Sequence, residues 1–227
     1  MSEPAVAARD SRPMALAILL AVLSFPVCAL AVAIQLLVGT DYVRWTMARP
    51  GYPPSPGFSR EERLAMAVPS TRFILSQDPP ELLAALSHRN APLYQADEIA
   101  HLLDVRQVVG RIRWLALLLA TAALALLALR PRSLRVGLTR ALAAGGALAL
   151  GLLFLLGLAI LVAWDAAFTA MHRFFFAAGT WQFGADSALI RLFPDRFWYD
   201  TALVLVGLLA LQSLAALAAS WALRPRS

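Results

Sequence analysis

The chain has 227 residues, of which 60% are hydrophobic and only 15% are charged, and its mean hydropathy is +0.67. Soluble domains average roughly 45–50% apolar and about 25% charged residues, so this composition indicates a membrane protein. The formal net charge is +6 and every basic residue is arginine. These arginines are scattered around apolar blocks, which argues against a nucleic-acid partner. The single cysteine, Cys28, lies in an apolar block, which predicts a buried core residue and excludes an intrachain disulfide.

Four apolar blocks are long enough to cross a bilayer, which takes about 20 residues. They lie at about residues 14–38, 114–129, 141–163 and 201–223. The first block is too long for the apolar core of a signal peptide, and no small-residue cleavage site follows it. We therefore predict an all-α fold, a four-helix transmembrane bundle forming one integral membrane domain over residues 1–227. A monomer is expected.

The placement of arginines sets the predicted orientation. They precede the first block, crowd the link between the second and third blocks, and follow the fourth: Arg9, Arg12, Arg130, Arg132, Arg135, Arg140, Arg224 and Arg226. Both termini are therefore expected in the cytoplasm. Segments 39–113 and 164–200 are then the outer segments, and the first of them is expected to be mostly helical.

The first outer segment is predicted to open with a loop and continue with short helices. The run RPGYPPSPG excludes a helix through its prolines and glycines. Ser59 followed by Glu62 has the pattern of a capping box, which predicts a short helix that Pro69 should end. A second short helix is predicted over ELLAALSHR, with an apolar face suited to a membrane surface.

A third outer helix is expected to run without a break into the second span. Asp97 is its predicted N-cap, and its first turns should stand above the lipid before Trp114 enters it. His101 and Asp104 are three residues apart on this helix and therefore share a face.

The third span is likewise expected to continue beyond Ala163, over the run WDAAFTAMHRFFF. Its residues Asp165, Phe168, Thr169 and His172 have the spacing of one helical face. Asp165 and His172 are two turns apart, too far for direct contact, so only a shared face is predicted.

Aromatic residues cluster after the third span and before the fourth: Trp164, Phe174, Phe175, Phe176, Trp181, Phe183, Phe193, Phe197, Trp198 and Tyr199. Amphipathic rings favour the lipid headgroup level. The pattern favours an interfacial belt, and the alternative is the rim of a lipid-binding cleft.

Two of the three histidines are candidate catalytic residues. His101 and His172 each lie at the outer end of a membrane-crossing helix, whereas His88 lies in a polar turn, SHRNAP, and is expected to be solvated. An imidazole titrates near neutrality and can act as both acid and base. The competing interpretation is that both histidines bind headgroups or carbonyls at the interface.

Two other kinds of site are less well supported by the residues. A zinc site would need Asp104, Asp165 or Asp186 to complete a histidine shell, and no H-E-x-x-H pair occurs. A serine hydrolase would need a G-x-S-x-G motif, which is absent from the sequence. No metal or other cofactor is therefore expected.

Three motifs resemble a known family. They are FSREER after the first outer loop, HLLDVR leading into the second span, and DAAFTAMHRFFFAAGTWQF with LIRLFPDRFW before the fourth. Together they extend from about Phe58 to Asp200. On these residues the chain resembles the bacterial lipoprotein intramolecular transacylases, small four-span proteins of the cytoplasmic membrane.

The resemblance implies an activity on the N-terminus of a diacylated lipoprotein. The acyl chain on the sn-2 oxygen of the S-diacylglyceryl cysteine would move to the α-amino group of the same cysteine, giving the lyso-form. The two essential histidines of the family correspond by motif to His101 and His172. We expect His172 to be the base and His101 its partner, although the roles are open to exchange.

Several supporting residues follow from the same resemblance. Asp104 is expected to orient His101, and Arg106, Trp181 and Asp186 are candidates to hold substrate or to anchor the outer loops. Asp165 is a further supporting candidate. The site is expected on the extracytoplasmic side, in contact with membrane lipid.

Two functions of other classes stay open. One is a non-catalytic membrane accessory protein whose outer segments bind a partner. The other is a membrane lipid acyl hydrolase that transfers the acyl chain to water. A channel or transporter is disfavoured, because the predicted spans carry almost no ionisable residues.

Overall fold

A computed structural model describes residues 3–50, 52–129 and 134–224, and nearly all of them are helical. The helices, in chain order, are α1 (Glu3–Leu37), α2 (Thr40–Ala48), α3 (Arg60–Leu75), α4 (Glu81–Ala84), α5 (Ala96–Ala128), α6 (Leu134–Val162), α7 (Trp164–Phe175), α8 (Ala188–Leu192) and α9 (Asp195–Ala222). Strands β1 (Ser87–His88) and β2 (Ala91–Pro92) pair as a small antiparallel hairpin between α4 and α5.

Four of these helices are long and apolar enough to cross a membrane, which confirms the four-span prediction. The candidate spans are Met14–Leu37, Ala96–Ala128, Leu134–Val162 and Asp195–Ala222. Large apolar side chains on them are exposed, among them Leu118 (65%), Phe154 (71%) and Trp221 (73%). So much exposed apolar surface is expected of helices whose solvent is lipid.

The chain divides into two compact units, and the first contains residues 1–33, 112–157 and 206–227. Small residues bring its helices close together. A Cβ added at Gly145 would lie 2.8 Å from the Cβ of Phe25 on α1, and one at Gly146 would lie 3.0 Å from the Ser213 carbonyl oxygen on α9. Without a hydrophobic effect between helices in lipid, such close backbone packing is a main source of association.

The second unit contains residues 34–111 and 158–205, and every candidate site residue lies in it. Its core is built from buried side chains on several helices, including Val43 on α2, Phe73 on α3, Leu83 on α4, Leu192 on α8 and Phe197 on α9. This core holds the short helices in place, since helices as short as α2, α4 and α8 are not stable alone in water.

The FSREER motif stabilises this unit through a helix cap and side-chain hydrogen bonds. Ser59 caps α3 in a capping box with Glu62, as predicted. Arg63 is only 4% exposed, and it donates hydrogen bonds to the carbonyl oxygens of Pro53 (2.8 Å) and Leu192 (2.9 and 3.0 Å). The motif thereby ties α3 both to the preceding loop and to α8.

Two predictions for the first outer segment were wrong. Pro69 lies inside α3 and does not end it, because Ala67, Ser70 and Thr71 around it are buried and tertiary packing holds this turn helical.

The helix predicted over ELLAALSHR ends at Ala84. Arg89 and Asn90 adopt φ of 52° and 64°, and two successive left-handed residues form the tight turn that joins β1 to β2.

The outer extension of the third span is interrupted, which corrects the prediction of a continuous helix. α6 ends at Val162, Ala163 leaves the helical region with φ −145° and ψ 55°, and α7 begins anew at Trp164. The extension of the second span is confirmed, because α5 is unbroken from Ala96 to Ala128. Asp97 is not its N-cap but lies in its first turn.

The arginines used to orient the chain fall partly outside the described structure. Residues 130, 132 and 226, and the side chains of residues 9 and 12, are not among the parts described.

Candidate active site

His101 is positioned by the first turns of α5. One turn earlier, Glu98 is 2% exposed, and its carboxylate accepts hydrogen bonds from the backbone N–H of Gln95 (2.8 Å) and of Leu189 (2.9 Å). The carboxylate thus joins the start of α5 to the start of α8. The His101 ring then contacts Phe176 and Phe183, at centroid distances of 4.9 and 5.4 Å.

His172 is positioned near the end of α7 and is 9% exposed. Its Nδ1 lies 2.8 Å from the carbonyl oxygen of Phe168. Since a carbonyl oxygen only accepts, Nδ1 carries the proton, and the lone pair of a neutral ring is on Nε2. The ring lies between Phe168 (4.0 Å) and Trp181 (4.8 Å). Burial lowers the pKa of His172 below its ordinary value, more strongly than the Phe168 hydrogen bond raises it.

The two histidine rings lie 6.4 Å apart, centroid to centroid, with planes inclined by 20°. Both line one cavity of about 350 Å³, which we call the histidine cavity. Its other lining residues are mostly apolar, and they come from the end of α1 and from α3, α5, α7, α8 and α9. Such a cavity, apolar with few polar groups, is typical of a small-molecule or lipid site.

Two polar atoms in this cavity have no hydrogen-bond partner among the described residues. They are His101 Nδ1 and Trp181 Nε1, and both are buried. Buried polar atoms are nearly always hydrogen-bonded in folded proteins, so unpaired ones in a cavity indicate a place for a ligand. The indole N–H is a donor only, so it can bind an oxygen atom.

The hydroxyl groups that line the cavity are already engaged. Ser70 Oγ lies 2.8 Å from the Met66 carbonyl oxygen and 2.6 Å from the Tyr94 hydroxyl. Thr201 Oγ1 donates to the Phe197 carbonyl oxygen at 2.6 Å. The third, Thr71 Oγ1, donates to the Val68 carbonyl oxygen at 3.1 Å. None of the three hydroxyls is hydrogen-bonded to a histidine, as a serine-type nucleophile would be.

The structure places the supporting candidates in different surroundings. Trp181 lies in the cavity against His172. Asp104 follows His101 by one turn of α5, but it makes no hydrogen bond to His101 Nδ1 in the described structure. Arg106 donates to the Asp78 carbonyl oxygen at 2.7 Å and lies 4.2 Å from the Phe73 ring, which is an anchoring role.

The two remaining carboxylates lie away from the histidine cavity. Asp165 is exposed in the first turn of α7, and Asp186 lines a different cavity. Within residues 3–50, 52–129 and 134–224 no three His, Cys, Asp or Glu side chains are grouped so as to hold a metal ion.

His88 is not solvated, which corrects the sequence-based expectation. Its side chain is 14% exposed, its ring packs on Phe58 at 4.3 Å, and its Nε2 lies 3.5 Å from a Glu62 carboxylate oxygen. The hairpin turn folds this histidine back against the loop and the start of α3.

Several residues of the aromatic cluster, for which the sequence favoured an interfacial belt, belong to the site. Phe168, Phe183, Phe193, Phe197 and Trp198 line the histidine cavity. The aromatic cluster thus includes cleft-lining residues as well as exposed ones such as Phe174, which is 81% exposed. Their spacing around the histidines was visible, but which rings turn inwards depends on the loop between α7 and α8.

The fold and the cavity define a multi-pass integral membrane protein in which a buried histidine, His172, and a half-buried one, His101, face an apolar cavity. The family model described as Lipoprotein intramolecular transacylase Lit matches residues 18–198. This match covers most of the chain, so the chain belongs to that family, as the motifs had suggested. It is accordingly a membrane enzyme, an acyltransferase.

Individual proteins and solved structures are also similar to this chain. A protein of Aquifex aeolicus, described as uncharacterized, is 26% identical over 195 residues, which is 80% of this chain and 82% of that protein. The structure of the membrane integral lipoprotein intramolecular transacylase Lit from Bacillus cereus has a TM-score of 0.73 at 15% identity, covering 92% of this chain and 95% of that one.

A histidine-to-arginine variant of the same Bacillus cereus protein has a TM-score of 0.68 at 13% identity, covering 98% of this chain and 96% of that one. At these identities the two structures establish the shared fold.

Proposed function

We propose that this chain moves the acyl chain on the sn-2 oxygen of an S-diacylglyceryl cysteine to the α-amino group of the same cysteine. The substrate is the N-terminus of a bacterial lipoprotein, and the product is the lyso-form. The observation that carries the proposal is the pair of imidazole rings 6.4 Å apart on one apolar cavity. The substrate amine must lose protons and the leaving oxygen of the ester must gain one, and both transfers need an acid–base group close by.

In the first step His172 is the base. An α-ammonium group has a pKa near 8, so a neutral imidazole needs to remove only one weakly held proton. His172 Nε2 accepts it, because Nδ1 already donates to the Phe168 carbonyl oxygen. Since burial lowers the pKa of His172, its ring is neutral over most of the physiological range.

In the second step the free amine attacks the ester carbonyl carbon of the same molecule. The reaction is intramolecular, so the correct alignment supplies much of the rate. Negative charge develops on the carbonyl oxygen, and N–H groups that have no other partner can stabilise it by donating hydrogen bonds. Trp181 Nε1–H is such a donor, and His101 is the second.

In the third step the carbon–oxygen bond of the ester breaks and the amide remains. His172 releases the ammonium proton to solvent, accepts the second proton from the attacking nitrogen and gives it to the departing glycerol oxygen, while His101 donates a hydrogen bond to that oxygen. The ester and the ammonium thus become an amide, an alcohol and one released proton. No acyl-enzyme is needed, in keeping with the engaged hydroxyls of Ser70 and Thr201.

We further propose that both termini are cytoplasmic and that the histidine cavity opens on the extracytoplasmic side. Among the described residues, Arg135, Arg140 and Arg224 lie at span ends on the predicted cytoplasmic side. A single chain is sufficient for the reaction, because it supplies both histidines.

A test is to express the protein together with a diacylated lipoprotein and analyse the lipopeptide by mass spectrometry. Transfer leaves the mass unchanged and blocks the α-amino group, whereas hydrolysis removes the mass of one acyl chain. An accessory protein would change neither. We expect an unchanged mass and an N-acylated cysteine.

The same assay tests the two histidines. His101→Ala and His172→Ala should each lower the rate by at least about 100-fold, which is typical of the loss of an acid–base group. Arg173→Ala, an exposed neighbour of His172 on α7, is the matched control. Normal transfer in both histidine variants would overturn the assignment.

A further inference from the structure

A second cavity, of about 430 Å³, adjoins the histidine cavity. Gln182 and Phe183 line both cavities, so the two share a wall. Phe183 also contacts His101, with ring centroids 5.4 Å apart. The second cavity therefore begins one side chain away from a proposed reacting group.

The chemistry of the second cavity differs from that of the first. Its lining includes the charged or polar side chains of Gln95, Asp97, Glu98, Asp186 and Arg191. The histidine cavity suits acyl chains, and this one suits a polar chain. A lipoprotein has both acyl chains and a polar polypeptide, since its cysteine carries the lipid on sulfur and the polypeptide on its carbonyl carbon.

The charges around the second cavity favour a cation. Glu98 is fully used by two backbone N–H groups. Arg191 donates to the Pro56 carbonyl oxygen at 2.8 Å and lies 4.5 Å from the Phe58 ring, so it is held at the loop. Asp186 is exposed, and its carboxylate is available to a ligand. Asp97 is also exposed, and its Oδ1 accepts a hydrogen bond from the Glu98 backbone N–H at 3.0 Å, which leaves its second oxygen for a ligand.

His88 adds an unpaired group to the same lining. Its Nε2 is buried and has no hydrogen-bond partner among the described residues. Its distance of 3.5 Å from the Glu62 carboxylate is a weak ion-pair geometry only. A peptide amide in the cavity would supply the missing partner.

We propose that the second cavity binds the first residues after the lipidated cysteine and favours basic side chains there. The inference rests on the proposed transacylase function and names a subsite for it. An extended chain advances about 3.3–3.6 Å per residue, so only a few residues are needed to pass the shared wall. The cavity then fixes the cysteine and, through it, the amine beside His172.

The test compares two synthetic substrates, an S-diacylglyceryl cysteine amide and an S-diacylglyceryl lipopeptide continued by several lysines. In Ala91→Trp a bulky ring is placed at an exposed position of β2 that lines the cavity. We expect the ratio of kcat/KM for lipopeptide over amide to fall about tenfold. Ser87→Trp, exposed on β1 and not lining the cavity, should leave that ratio within about twofold of wild type.

A second variant tests charge with less change in shape. Asp186→Asn should reduce the preference for a lysine-continued over a glutamate-continued lipopeptide about tenfold. If the wild type transfers the acyl chain but both ratios are unchanged in Ala91→Trp and Asp186→Asn, the subsite is overturned. If wild type converted none of the substrates, the proposed function itself would fail, and the subsite with it.

Discussion

The carboxylate of Glu98 accepts a hydrogen bond from the backbone N–H of Leu189 at 2.9 Å, across 91 positions of the chain. The same carboxylate accepts from Gln95 at the start of α5. His101 follows Glu98 by three residues, and Leu189 follows the loop that carries Trp181. One buried group therefore fixes the helix that carries His101 and the segment that follows the Trp181 loop.

Replacement of Glu98 should destabilise this region. Glu98→Gln keeps the shape but places an amide N–H₂ where one carboxylate oxygen accepted, so a buried N–H loses its partner at roughly 1–3 kcal/mol. The melting temperature in detergent should fall by several degrees, and Glu81→Gln, at an exposed site on α4, is the control. Equal melting temperatures for the two variants would contradict the bridging role.

The pH dependence of transfer should reflect the burial of His172. The neutral ring is the active form, and burial lowers its pKa, so the acid limb of kcat/KM should lie below pH 6.5, the ordinary value for histidine. Phe168→Ala removes the ring that covers His172 at 4.0 Å and should move the limb to higher pH. A limb that stays in place would mean that another group titrates.

The same shift predicts how stability responds to acid. Because the folded-state pKa of His172 is lower than the unfolded one, the unfolded chain binds the extra proton first. Stability should therefore decrease as the pH falls below about 6.5 and level off below the folded-state pKa. Melting temperatures of wild type and His172→Gln should be compared across this pH range. The part of the pH dependence that is due to His172 should be absent in the variant.

Trp181→Phe should separate hydrogen bonding from packing. In the wild type the Trp181 and His172 ring centroids lie 4.8 Å apart. Phenylalanine keeps an aromatic ring at this position but removes the unpaired N–H donor. If this donor binds the developing oxyanion, kcat should fall roughly 100-fold with little change in KM. Trp45→Phe on α2 is the control, since that ring is exposed. A rise in KM alone would indicate that Trp181 only holds substrate.

The sequence was sufficient to predict the spans, the capping box and the position of each of the two histidines on a helix. Each depends on local pattern: hydropathy over about 20 residues, the Ser59–Glu62 pair, and the helical position of His101. The interruption at Ala163 could not be predicted, because no proline or glycine marks it. The end of α3 was wrongly predicted at Pro69 for the opposite reason, because tertiary burial of the surrounding turn outweighed a local helix breaker.

The contents of the cavity were beyond sequence reasoning for a different physical reason. Glu98 looks like an ordinary acidic residue in a first helical turn, and its partner Leu189 is 91 positions away. Phe183 and Phe174 look alike in an aromatic cluster, yet one lines the histidine cavity and the other is 81% exposed. Only the path of the loop between α7 and α8 distinguishes them.

Two glycines on α6 allow a test of packing in the membrane-spanning unit. At Gly145 a new Cβ would lie 2.8 Å from the Phe25 Cβ, whereas at Gly151 nothing lies within 4 Å. Alanine gains roughly 1 kcal/mol of helix propensity over glycine at either site, so Gly151→Ala should raise the melting temperature or leave it unchanged. Gly145→Ala should lower it, because α1 must move away from α6 and loses its close contacts. If Gly145→Ala were as stable as Gly151→Ala, α1 and α6 would not approach each other at this glycine in the membrane.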